Sequence, residues 1–309
     1  MTIRIAALAC IGSLISVPAL AVDWNGVAAK QVVLFYPGQT SWEYLLSTGE
    51  HSGALKFRDG KGCHNCHEDE EKTQGPLLIS GQKNEPAPIP GKPGFITANI
   101  KMAQDDKALY VRLEFDEGQQ PDLKMDPDWS TKVTMMIADA KVPEGARAGC
   151  WVTCHDDAAR MAGGAVGDRT KYLGKTRAKL SRGGGGDELK PADELAKLSA
   201  DGYVMEYWQA KISPTGKASA VAGTIFDKRQ ELKNPQVTAE VTGAKGNWAV
   251  TLSRPLAAGA PYKELAPGKP YTIGFAIHSG HSAKRFHYVS YEHSLVLGQG
   301  NADFVAAKK

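Results

Sequence analysis

Beyond about residue 94 the chain is written in short runs of alternating apolar and polar residues separated by turn residues. Residues 108–115 are the clearest case. Leu109, Val111, Leu113 and Phe115 fall on one face, as the two-residue side-chain period of a strand requires. Residues 132–138 alternate in the same way through Val133, Met135 and Ile137. Further strand-like runs span 94–102, 203–212, 236–242, 247–254, 271–279 and 286–297; in the last, His287, Val289, Tyr291 and His293 share a face by period two. Many short strands with turns between them predict a mainly β fold, a sandwich or barrel, with no internal repeat. Residues 187–199 are expected to form a short helix.

Ahead of this region the pattern changes. Residues 32–36 are strand-like and stop at Pro37-Gly38, a turn signal. Residues 41–46 read as a helical turn capped by Ser41. Four prolines, Pro86, Pro88, Pro90 and Pro93, make 85–93 a stiff connector.

The N-terminus reads as a secretory leader. Arg4 precedes an apolar run over 5–17, and Pro18 leads into Ala19-Leu20-Ala21, a small-x-small cleavage pattern that places the cut before Val22. The run is interrupted by Gly12, Ser13, Ser16 and Pro18 and falls short of the ~20 apolar residues of a membrane span. The expected layout is a signal peptide at 1–21, an N-terminal segment at 22–93 and a β domain at 94–309. The mature protein is expected in the periplasm, without stable insertion in a membrane.

Composition narrows the function only by exclusion. A net charge of +3 from 37 basic and 34 acidic residues, without a basic stripe, argues against nucleic acid as a partner. Gly183–Gly186 and Gly174-Lys175-Thr176 resemble fragments of a phosphate loop, but the first lacks the lysine and hydroxyl residue, and the second has Arg169 where glycine is required. Both read as loops.

The cysteines carry the chemistry. Cleavage removes Cys10, and the remaining four form two close pairs, each followed at once by histidine: Cys63-His64-Asn65-Cys66-His67 and Cys150-Trp151-Val152-Thr153-Cys154-His155. The first has the spacing of c-type haem attachment: two thiols add across the vinyl groups on one porphyrin edge, and the adjacent histidine reaches the iron. The second carries one more intervening residue, and His155 keeps its place after the second cysteine. Paired disulfides and, for the first motif, a thioredoxin-like dithiol are the competing readings. The preferred one is two haem c groups on Cys63, Cys66, Cys150 and Cys154, with His67 and His155 as proximal ligands. A sixth ligand for each iron would come from the other histidines, dense at His278, His281, His287 and His293, or from methionines such as Met102, Met161 and Met205. His64, inside its own loop, is expected to be solvated.

Several segments resemble the haem-binding family that includes the gamma subunit of ethylbenzene dehydrogenase and the related dimethylsulfide dehydrogenase subunit, and in particular its c-type dihaem branch. They are Phe35 to Glu43, His51-Ser52-Gly53, Gly149 to Asp157, Glu206 to Ala210, Phe275 to His278 and Arg285 to Ser290. The resemblance implies a β-sandwich haem-binding domain, with haem between loops at one end, preceded by a small N-terminal haem c segment. It places His155 where the family's b-type members have a methionine ligand and His287 where they have a lysine, implying bis-histidine ligation of the second haem. For the first haem, His51 is taken as the distal ligand, with His281, His278 and Met102 as alternatives.

The function expected from these readings is electron transfer with redox partner proteins, either free or as partner of a respiratory oxidoreductase, with no catalytic residues. The rival is a haem enzyme with one open iron acting on a small nitrogen or sulfur oxide.

Overall fold

The computed structural model describes residues 22–38, 40–82, 88–123, 125–153 (backbone only at 150–153), 172–180, 186, 188–244, 246–280 and 287–309. In chain order the elements are β1 (Ala29–Phe35), α1 (Trp42–Leu46), α2 (Ala54–Arg58), α3 (His64–His67), α4 (Glu71–Ile79), β2 (Phe95–Gln104), β3 (Ala108–Asp116), β4 (Thr131–Ala138), α5 (Pro143–Thr153) and α6 (Ala192–Ala200). There follow β5 (Met205–Ile212), β6 (Ala218–Ile225), β7 (Arg229–Glu231), β8 (Thr238–Ala244), β9 (Asn247–Pro255), β10 (Pro270–Ser279), β11 (Tyr288–Val289), β12 (His293–Leu297) and β13 (Phe304–Lys308). The protein is mainly β, as the alternation predicts.

The strands form one sheet in the order β7-β6-β5-β4-β10-β11-β1-β2-β3-β9-β8, while β12 pairs with β10 and β13, and β13 also pairs with β2. The pairings are antiparallel except β12–β13 and β13–β2. The sheet folds over, so that β5 and β6 pack against β8 and β9. Inward-facing Leu109, Val111, Leu113, Val133, Met135, Ile137, Trp208, Val250 and Leu252 fill the space between. Burying such side chains contributes roughly 1.5–3 kcal/mol each. Strand β1 pairs with β2 over its whole length, from Ala29↔Lys101 to Phe35↔Phe95, so the segment ahead of the connector shares the sheet.

A fully buried ion pair lies inside: Arg254 Nε is 2.8 Å from Glu206 Oε1, both side chains being 0% exposed. Glu206 Oε2 also accepts the Lys263 backbone N–H at 2.7 Å. Burial pushes the Glu206 carboxyl up, against the pull of Arg254.

Helix α4 packs on β1 and β2, α5 on β10 and β4, and α1 on α2. Ser41 caps α1, its hydroxyl accepting the Tyr44 N–H at 3.2 Å. Helix α4 docks through bare backbone: a Cβ on Gly75 would stand 2.0 Å from the Gly94 carbonyl oxygen, so the close approach requires glycine. Helix α6 is shorter than expected at its start, because Pro191 at its cap biases Lys190 toward extended backbone. Gly174–Thr176 is a single 3-10 turn, in keeping with its reading as loop. Among the described residues no helix is long and apolar enough to cross a membrane.

The run at 286–297 departs from the expected continuous strand. Val289 pairs with Ala276 and Tyr288 with Ile277, whereas His293 pairs with Ile273 and Ser294 with Thr272. The register therefore slips by one residue across Ser290–Glu292, a bulge. Ser290 holds it: its N–H donates to the Phe275 carbonyl, its Oγ accepts the Phe275 N–H at 3.0 Å, and its hydroxyl donates to the Tyr291 carbonyl at 2.7 Å. One extra residue inverts every face beyond it. His287 and His293 therefore point to opposite sides of the sheet.

Candidate functional site

The first cysteine motif folds as helix α3, and neighbouring segments close around it. Cys63 donates its backbone N–H to the Arg147 carbonyl of α5 at 2.8 Å, and the Gly62 N–H donates to Asn65 Oδ1 at 2.9 Å. Cys63 is buried and Cys66 exposed, and the two thiols are not joined. Burial pushes the Cys63 thiol well up, and the nearby Glu292 and Cys66 add to it.

His67 and His51 come together from α3 and from the turn before α2. Their ring centroids are 6.3 Å apart, with an interplanar angle of 30°. Two imidazoles meeting one metal through Nε2, each at about 2 Å, would have centroids at roughly that separation. In both rings Nδ1 is engaged: His67 Nδ1 lies 2.8 Å from Glu70 Oε2, and His51 Nδ1 lies 3.1 Å from the Leu45 carbonyl oxygen. The Leu45 carbonyl can only accept, which makes His51 Nδ1 the donor and leaves Nε2 with its lone pair. A carboxylate or carbonyl on the far nitrogen is the usual support of a metal-ligating histidine. Hydrogen bonds from His67 and Gln74 hold the Glu70 carboxyl below its usual range.

Aromatic rings line this pocket. Tyr291 stacks on His67 with centroids 6.3 Å apart, Phe35 packs on Tyr291 at 4.8 Å, and Tyr44 on His51 at 5.6 Å. Arg147 places its guanidinium 4.3 Å over Phe57 and donates to the Phe57 carbonyl, tying α5 to α2.

The second motif is described only in part. Cys150 belongs to α5, which is interrupted at Gly149 (φ 58°, ψ −162°) and packs on β10 and β4. Cys154 and His155 lie outside the described residues, as do His281, Met161 and residues 1–21. Because Cys150 follows Arg147 by three residues, at most about 3.8 Å of chain each, the backbone of Cys150 lies near the first cysteine motif. His287 lies across from His278, whose strand α5 covers; their rings stack with centroids 4.3 Å apart and planes 23° apart.

The other candidates lie elsewhere. Met102 and Met205 are buried in apolar clusters. His293 is buried between Phe275 (6.3 Å) and Phe304 (5.5 Å), and burial lowers it to about 4. His64 is half-buried rather than solvated, its ring 6.1 Å from that of His293 and its Nε2 3.4 Å from Glu68. Glu292 and Arg147, which brace the loop, carry no motif in the sequence; only the fold reveals them.

Comparison with known proteins places this arrangement in a class. The chain belongs to a family of c-type cytochromes. It is 34% identical over 308 residues to cytochrome c-552 of Stutzerimonas stutzeri, covering 96% of this chain and 94% of that protein. It is 28% identical over 290 residues to cytochrome c-551 of Rhodocyclus tenuis, covering 94% of this chain and all of that one. No family model matches the sequence.

Proposed function

We propose that this protein is a periplasmic dihaem c-type cytochrome that passes electrons between redox partners, free or as the partner of a respiratory oxidoreductase, and that it belongs to the c-type dihaem branch of the ethylbenzene dehydrogenase gamma-subunit-like family. The observation that carries this reading is the pairing of His51 with His67 beside Cys63 and Cys66. Haem c supplies a one-electron iron couple.

The chain's own residues supply the rest. Cys63 and Cys66 would anchor the first haem by thioethers, while His67 and His51 present Nε2 to its iron, each fixed through Nδ1. Tyr44 packs on the His51 ring and Tyr291 on the His67 ring. Cys150, Cys154, His155 and His287 would hold the second haem. The hydrogen bond from Cys63 to Arg147 joins the two attachment segments through backbone, which favours exchange of electrons within the molecule. Two histidine ligands, rather than a histidine and a methionine, would favour comparatively low potentials.

The test is a redox titration of the purified holoprotein, followed optically and by electron paramagnetic resonance, together with carbon monoxide binding to the ferrous form. Two low-spin, reversible one-electron centres without carbon monoxide binding support the carrier. An open, high-spin iron that binds carbon monoxide rapidly in the wild type would replace it with the enzyme reading.

A further inference from the structure

Glu292 stands in the bulge between β11 and β12, with no pattern in the sequence to mark it, and is 9% exposed. Its Oε1 accepts the His64 backbone N–H at 2.9 Å. Gly62 lies against the same oxygen so closely that a Cβ there would come within 2.3 Å of it. The second oxygen, Oε2, is buried without a hydrogen-bond partner among the described residues. Burying a carboxylate that lacks a counter-charge is costly, and here burial lifts the carboxyl to about 7 despite the His64 N–H.

The charged and titratable groups around it are known from each packed element. Asp303, ahead of β13, raises it. Its own field acts on the Cys63 thiol, where Arg147 of α5 opposes it, and on the Tyr291 hydroxyl, which Glu70 and Glu71 of the α3–α4 region also face. His64 and His293 lie on either side. None of the cations among them forms an ion pair with Glu292 among the described residues.

We propose that Glu292 is the proton acceptor coupled to the first haem. When a one-electron donor reduces the group held at Cys63 and Cys66, Glu292 Oε2 takes one proton from water, so that electron and proton enter together; reoxidation releases both. The inference rests on reading Cys63–His67 as a haem attachment site. The physical reason is electrostatic: an added electron beside a buried carboxylate strengthens its hold on a proton. By reciprocity the bound proton favours the reduced form. The sign follows: the potential must fall as pH rises through the window between the oxidised-state and reduced-state pKa values of the carboxyl.

Redox titration of the holoprotein from about pH 5 to about pH 9 spans that window. One haem should lose up to tenfold in its reduction equilibrium per pH unit, about 59 mV for one electron, in a window near neutrality. E292Q should flatten that dependence while keeping both haems by intact mass. A flat wild-type profile, or an unchanged slope in E292Q, overturns the proposal. Should E292Q fail to assemble, infrared difference spectra of the wild type decide. A protonated-carboxyl band that appears on reduction and shifts in heavy water supports the proposal, and its absence overturns it. Peptide mass mapping separates the two levels of inference: a haem-free Cys63/Cys66 peptide removes the attachment reading itself, whereas a haem-bearing peptide with no pH dependence removes only the role of Glu292.

Discussion

His278 and His287 face each other across β10 and the start of β11, rings stacked at 4.3 Å. The pairing of Ile277 with Tyr288 puts them directly opposite on one face, where cross-strand side chains meet. Helix α5, which carries Cys150, packs on the same strand β10. Replacing His287 with alanine should convert one haem from low to high spin in the electron paramagnetic resonance spectrum. An unchanged spectrum would remove His287 from the ligand set.

H51A addresses the first haem. The thioethers do not depend on His51, so the intact mass should change only by the substitution. One iron should become high spin, and one of the two ferrous haems should bind carbon monoxide. A wild-type spectrum in H51A would mean that another residue closes this iron.

G62A tests the packing of the attachment loop. A Cβ at this position meets not only Glu292 but the Ala146 carbonyl oxygen at 2.9 Å, and backbone cannot swing aside. A loss of about 1–3 kcal/mol, the usual cost of overpacking, is expected in denaturant melts of the holoprotein. Wild-type stability would show that the loop is not clamped between α5 and Glu292.

Removal of Arg254 tests the buried pair in the sheet. R254M leaves the Glu206 carboxylate without its counter-charge at a site 0% exposed, a change that costs about 3–5 kcal/mol. The folded fraction should keep the spectrum of the haem at Cys63 and Cys66, because among the described residues the hydrogen bonds and ion pair of Glu206 and Arg254 involve none of residues 63–67. A melt that moves by less than 1 kcal/mol, far below that range, would show that the pair contributes little.

The sheet was legible wherever one face is buried and the other wet. The β3 and β9 strands show strict alternation of buried and less buried residues, and apolar letters mark the buried positions at Leu109, Val111, Leu113, Phe115, Trp248, Val250 and Leu252, Arg254 being the exception. Strand β6 was missed because its Ala218, Ala220, Ala222 and Gly223 are small and give no apolar signature; Ala222 and Gly223 lie opposite Trp208 and Tyr207. The bulge at Ser290–Glu292 was illegible for a different reason. The apolar letters Val289, Tyr291, Leu295 and Leu297 keep period two through it, and only pairing with β10 reveals the inserted residue. The cysteine motifs announce themselves because their chemistry fixes a short spacing. Glu292 and Arg147 do not, since each acts on residues remote in sequence.

The most direct measurement is the intact mass of the purified holoprotein with peptide mapping of its cysteines. A chain that begins at Val22 and carries two haems, one on Cys63 and Cys66 and the other on Cys150 and Cys154, is the expected result. A haem-free chain with each pair closed as a disulfide would contradict it.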